Sequence, residues 1–179
     1  GRRLAARGAV VVTVNHRLNA FGYLYLAGLT RDFPDSGNTG QLDLILALRW
    51  VRDNIANFGG DPACVTLIGQ SGGGAKIATL MAMPAACGLF HRAMTMSGQQ
   101  VTVSGPGHAT RRARALLANL GLSDRDVETL VALPADRLVA ALEARDPIED
   151  SGLYTGPVLD GRWIARHPFW PDAHPSGRD

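Results

Sequence analysis

The feature that most constrains this chain is the pentapeptide Gly69-Gln70-Ser71-Gly72-Gly73, set between a short apolar run and a helix-forming stretch. Cys64-Val65-Thr66-Leu67-Ile68 is rich in β-branched residues and suits a buried strand. Ala75 to Met83 is rich in helix formers, and Pro84 ends it. A G-x-S-x-G turn between a strand and a helix holds its serine clear of the sheet. Side chains two residues before or after that serine are expected to collide with neighbouring backbone, which favours Gly69 and Gly73. The residue after the serine opens a helix, so the N–H of Gly72 is free to stabilise an oxyanion. Ser71 is therefore the candidate nucleophile and Gly72 the candidate oxyanion donor.

The same glycines invite a phosphate-binding reading, and spacing rejects it. A P-loop needs Lys and then Ser or Thr directly after its second Gly. Here Ala75 intervenes before Lys76, and Ile77 stands where the metal-binding hydroxyl belongs. A dinucleotide fingerprint fails as well, because no third Gly falls at the needed offset after Gly72 and Gly74.

Composition excludes other classes. The 179 residues are 46% hydrophobic and 19% charged, as in an ordinary globular domain. The net charge of +2 points to no particular partner, and Lys76 is the sole lysine. Arg111, Arg112 and Arg114 form the one basic cluster, on a predicted helix that also carries Leu116, Leu117 and Leu120. It is read as a solvated helix face, with no interleaved aromatics and hence no nucleic-acid site. Cys64 and Cys87 have no metal-site spacing and read as free thiols, so no metal or cofactor is expected. No run of eighteen apolar residues is present for a transmembrane segment. The compartment, cytoplasmic or secreted, and the oligomeric state stay open.

Along the chain, Ala9 to Asn15 reads as a fully buried strand. Residues 16–35 read as a long irregular loop. A helix is expected from about Gln41 to Asn57, capped by Asn38 or Thr39, with Leu44, Leu48, Val51, Ile55 and Phe58 on one face. Asp43 near its start would favour the helix dipole. Gly59-Gly60 stops it. His91 to Gly98 reads as a further strand, then helices over 108–120, 124–133 and 134–144. Gly156 to Gly161 suggests a short strand and turn, and the tail from His167 is Pro-rich and irregular. Strands alternating with helices imply an α/β class with a mainly parallel sheet and helices on both faces. The working residues belong at the carboxyl ends of the strands, where Ser71 lies.

These segments together resemble the type-B carboxylesterase family of the α/β-hydrolase fold. "VNHRLNAFGYL", the block "GNTGQLDLILALRWVRDNIANFGGDPACVTLIGQSGGG", "GLFHRAMTMSG" and "GPVLDG" follow the family's landmarks in order. The resemblance implies hydrolysis of a small-molecule ester through an acyl-enzyme on Ser71, with a histidine as base and a carboxylate to orient it. It also implies that the remaining oxyanion donors lie before residue 1, and the acid and histidine after Asp179. Residues 1–179 are thus expected to be the central part of a single catalytic domain, a fragment inactive by itself.

His16 replaces a family Tyr, and His91, His108, His167 and His174 match no catalytic position. Each is expected to be exposed or locally bonded. Asp160 is read as a turn residue, and Ser97 as support near the site. Gln70 replaces a common Glu and Gly72 a common Ala, which bears on cationic substrates. Two other readings stay open: a non-catalytic binding module of the same fold, and an amide or carbamate hydrolase.

Overall fold

A computed structural model describes residues 1–175. In chain order the elements are α1 (Arg2–Ala5), α2 (Asn19–Tyr23), α3 (Thr39–Asn54), β1 (Thr66–Gln70), α4 (Gly72–Leu80), β2 (Arg92–Met96), α5 (Pro106–Asn119), α6 (Val127–Val131) and α7 (Ala135–Ala141). Packing divides them into two units. One holds residues 1–16, 41–102 and the chain from Arg166, and the other holds 17–40 and 103–165.

The first unit carries the sheet. β1 and β2 pair in parallel, in register from Thr66 opposite Arg92 to Gln70 opposite Met96. Parallel strands need a crossover, and α4 supplies it. α3 runs into a 3₁₀ turn, Ile55–Phe58, which Gly59 closes at φ +79°. The helical run stops at Gly59 as the glycine pair predicted, while the α-helix itself ends at Asn54, short of the expected Asn57. Ile45, Leu48, Val51 and Ile55 are buried on α3, and Ile77, Ala78 and Leu80 on α4. Gln41 is fully buried, and its Nε2 donates to Lys76 O at 3.1 Å, tying α3 to α4.

Several expectations need correction here. Phe58 is 62% exposed and tilts against Trp50, because the 3₁₀ turn takes it off the helical face. Asp43 lies beyond the first turn of α3, too far in for the dipole role. Ala9 to Asn15 forms no strand, and Val10, Val11, Val12 and Val14 are exposed. A β-branched run becomes a strand only where a neighbouring strand accepts from its N–H groups and donates to its C=O groups. Among the described residues no strand pairs with this run.

The second unit is helical. Leu24, Leu26, Ala113, Leu116, Leu117, Val127, Leu130 and Ala141 form its core. Pro106 opens α5 at the position where its missing N–H costs nothing. Part of the expected loop is ordered: α2 forms one short helix, and Ser36 Oγ accepts the N–H groups of Leu26 and Ala27, both at 2.9 Å. Asn38 does not cap α3, since its amide serves residue 158 and residue 160. Its Nδ2 donates to Val158 O and Asp160 Oδ2, and its Oδ1 accepts from Val158 N. Thr39 Oγ1 donates instead to Gly22 O. Val158 makes an isolated parallel bridge with Ser104, the remnant of the expected short strand. Asp160 Oδ1 accepts the N–H groups of Arg162, Trp163 and Ile164, which is the turn role read for it.

The basic cluster on α5 is not a solvated face. Arg112 is 6% exposed. Its Nε donates to Asp146 Oδ2 at 2.6 Å, its Nη1 to Ser104 Oγ at 3.0 Å and its Nη2 to Glu149 Oε1 at 3.2 Å. The Tyr154 ring lies 4.9 Å from the guanidinium. Arg111 and Arg114 are exposed, as expected.

Candidate active site

The site lies in the first unit, where β1 ends and α4 begins. Ser71 occupies the single residue between them, at φ 52° and ψ −121°. A non-glycine residue in that region is strained and persists only where its surroundings fix it. The fixing groups are specific. Ser71 N donates to Met96 O at 2.8 Å, locking the turn to the end of β2. Ser71 O accepts from Ala75 N at 3.1 Å, the first bond of α4.

Three glycines allow the backbones to meet. A Cβ at Gly69 would lie 2.5 Å from Gly73 C, one at Gly74 2.5 Å from Gly98 O, and one at Gly98 only 1.8 Å from Ser71 O. Gly73, expected to be sterically required, has nothing within 4 Å of such a Cβ among the described residues. The obligatory glycine after the serine is Gly74, because the helix turns that residue onto the β2 end. The sequence held a signal for this in the run of three glycines after Ser71. Gly98, distant in the chain, had no such signal.

Serine is a favoured N-cap, with its hydroxyl bonded to the helix N–H groups. Ser71 stands at that position of α4, and its side chain makes no capping bond. Ser71 is exposed, and the leading N–H groups of α4 lie at the same end without intrahelical acceptors. An exposed hydroxyl beside oriented N–H donors at a positive helix end suits attack on a carbonyl and stabilisation of the resulting oxyanion.

Lys76 is one turn further along α4. Its Nζ donates to Gly72 O at 3.4 Å, and a Gly72 Cβ would be 3.5 Å from that nitrogen. Burial pushes the ammonium pKa below its usual value. His16 lies within reach of this charge. Burial lowers the His16 pKa, Lys76 lowers it further, and Asp43 acts in the opposite sense. The Nε2 of His16 is buried without a hydrogen-bond partner among the described residues.

The other histidines are local. His91 Nδ1 accepts from Val65 N at 3.1 Å, His108 is exposed, and His167 packs edge-on against Trp170. Burial and Arg166 lower the His174 pKa. Among the described residues no histidine is hydrogen-bonded to Ser71. Ser97, at φ 51°, follows β2 at the same sheet end as Ser71 and is exposed. Cys64 and Cys87 are free thiols. Ser176 to Asp179, the end of the Pro-rich tail, lie outside the described residues. No helix among the described residues is long and apolar enough to cross a membrane.

Comparison with known proteins bears on this geometry. The profile of the carboxylesterase family matches residues 1–173. The para-nitrobenzyl esterase of Bacillus subtilis (strain 168) is 41% identical over 172 residues, which is 94% of this chain and 35% of that protein. A solved PNB esterase structure superposes with a TM-score of 0.80 at 37% identity, covering 91% of this chain and 35% of the other. A carboxylesterase from Geobacillus stearothermophilus gives a TM-score of 0.77 at 39% identity, covering 87% of this chain and 32% of the other. The chain thus spans about a third of the length of the relatives it matches. Its fold is the corresponding part of the α/β-hydrolase fold.

Proposed function

We propose, from the premise that the chain belongs to the carboxylesterase family, that it carries the nucleophile of a serine ester hydrolase. Residues 1–179 are read as the central part of one catalytic domain. Ser71 Oγ attacks the ester carbonyl, the alcohol leaves, and water releases the acid from the acyl-serine. The Gly72 N–H donates to the oxyanion formed at each tetrahedral stage. The base that takes the Ser71 proton, the acid that orients it and further oxyanion donors come from the rest of the domain. The substrate is a small-molecule ester.

The observation that carries this reading is Ser71 itself, strained at φ 52°, exposed and not used as a cap. A structural turn has no need of strain at a non-glycine residue when glycine is available. The test is a fluorophosphonate probe on the complete catalytic domain, read by peptide mass spectrometry. The expected adduct is on Ser71, and Ser71→Ala should lose both adduct and ester turnover. A folded protein with no adduct at Ser71 would leave a non-catalytic binding module as the better reading.

A further inference from the structure

Lys76 is the chain's sole lysine among 18 basic residues, and it sits on the helix that Ser71 opens. Side chains on a helix lean toward its N-terminus, so one at position 76 covers the turn that begins at Gly72. The ammonium does this, reaching within 3.4 Å of Gly72 O. It is half-buried there. A cation stabilises a helix at its C-terminal end and opposes the dipole at the N-terminal end. Lys76 is the fifth residue of α4, beyond the first turn, so neither capping nor the dipole explains the side chain's reach back to Gly72. Gln70, the last residue of β1 and the neighbour of Ser71 on its other side, is exposed and neutral. Asp43 partly opposes the lowering of the His16 pKa by burial and Lys76, so a carboxylate does lie in this region. At Gly72 itself the ammonium and the helix end add with the same sign.

We propose that the Lys76 ammonium sets the charge preference of the ester site, favouring substrates that carry an anionic group near the scissile carbonyl over neutral and cationic ones. This rests on Ser71 being the nucleophile. Lys76 acts through its field and takes no part in bond making. Two unit charges some 8–10 Å apart in a partly solvated site give about a tenfold effect on a ratio of kcat/KM values.

The experiment uses the complete catalytic domain in wild-type, Lys76→Met and Lys76→Arg forms. Three p-nitrophenyl esters of matched chain length serve as substrates: the monoester of adipate, the hexanoate and the 5-(trimethylammonio)pentanoate. Lys76→Met should lower the anionic-to-neutral ratio of kcat/KM by about tenfold and raise the cationic-to-neutral ratio. Lys76→Arg should keep the wild-type ratios. Raising salt from about 20 mM to about 500 mM should shrink the wild-type anionic preference, since screening tightens over that range. This arm needs no variant and decides the matter if Lys76→Met fails to fold. Equal ratios in wild type and Lys76→Met, or a wild-type ratio indifferent to salt, overturn the proposal. Each protein is also treated with a neutral fluorophosphonate. Absence of a Ser71 adduct in wild type overturns the nucleophile assignment, a result distinct from unchanged ratios in a labelled enzyme.

Discussion

Gly98 lies so close to Ser71 that a Cβ on it would stand 1.8 Å from the Ser71 carbonyl oxygen. The turn after β2 and the turn after β1 are thus one packed unit, joined also by the bond from Ser71 N to Met96 O. Gly98→Ala must push these turns apart. Misplacing a reacting group by about 1 Å costs on the order of 10² in rate. Gly98→Ala and Gly69→Ala should therefore lose at least that much kcat/KM for p-nitrophenyl butyrate in the complete domain. Gly73→Ala, whose Cβ meets nothing within 4 Å among the described residues, should stay within a few-fold of wild type. The reverse ranking of Gly69→Ala and Gly73→Ala would show the geometry of this turn to be wrong.

The part of the fold that local chemistry controls was readable in the chain. The glycine stop after α3, the strand and helix on either side of Ser71 and the three helices after β2 each rest on residues within a few positions of one another, although β1, expected to be buried, alternates exposed and half-buried residues. What was not readable depends on partners remote in sequence. Val10 to Val14 have strand chemistry and no strand beside them among the described residues. Arg112 looked solvated because Asp146, 34 residues later, was invisible to helical periodicity. Gly73 and Gly74 were exchanged because only the approach of Gly98 distinguishes them.

Asp146 makes the second unit acid-sensitive. Burial pushes its carboxyl up, but the N–H groups of Tyr154 and Ile148, the Arg112 guanidinium and the N–H of Glu149 outweigh that and hold it at about 2. A folded pKa below the unfolded value of 3.8 means that the unfolded chain binds the proton more readily. The stabilisation is complete above the unfolded value and is lost as pH falls from there toward about 2. Its size is about 2 kcal/mol at neutral pH. Asp146→Asn should lower the urea midpoint at pH 7 and narrow its gap to wild type at pH 3. Arg112→Met leaves a buried carboxylate without its cation and should cost about 3–5 kcal/mol. A constant gap between wild type and Asp146→Asn from pH 7 to pH 3 would contradict this account.

His16 has the opposite charge type and the same direction of pH dependence. Its folded pKa is lowered below 6.5 by burial and by Lys76, so the unfolded chain again takes the proton first. Stability is undiminished by this group above pH 6.5 and falls as pH drops through the unfolded value toward the folded one. His16→Phe removes the titration and the buried Nε2 that lacks a partner among the described residues. The variant should be at least as stable as wild type at pH 7.5, and its advantage should grow at pH 5.5. Urea midpoints at the two pH values measure it. An advantage that shrinks on acidification would mean that His16 is held protonated in the folded protein.

The last expectation concerns residues 1–179 expressed alone. Ser71 has its strained turn and the Gly72 donor, and no histidine among the described residues is hydrogen-bonded to it. Loss of triad function costs on the order of 10⁴ to 10⁶ in kcat. Loss of one oxyanion donor costs about another 10² to 10³, though such losses do not simply add. The chain should therefore hydrolyse p-nitrophenyl acetate no faster than its Ser71→Ala variant. Val10, Val11, Val12 and Val14, with Ile68 and Met94 of the two strands, are between 38% and 55% exposed, and exposed apolar surface of this kind drives association. Size-exclusion chromatography should show the isolated chain as aggregates, and the complete domain should not share that behaviour. Monomeric 1–179 with Ser71-dependent turnover of several per second would show that a base within these residues, His16 foremost, reaches Ser71 in solution.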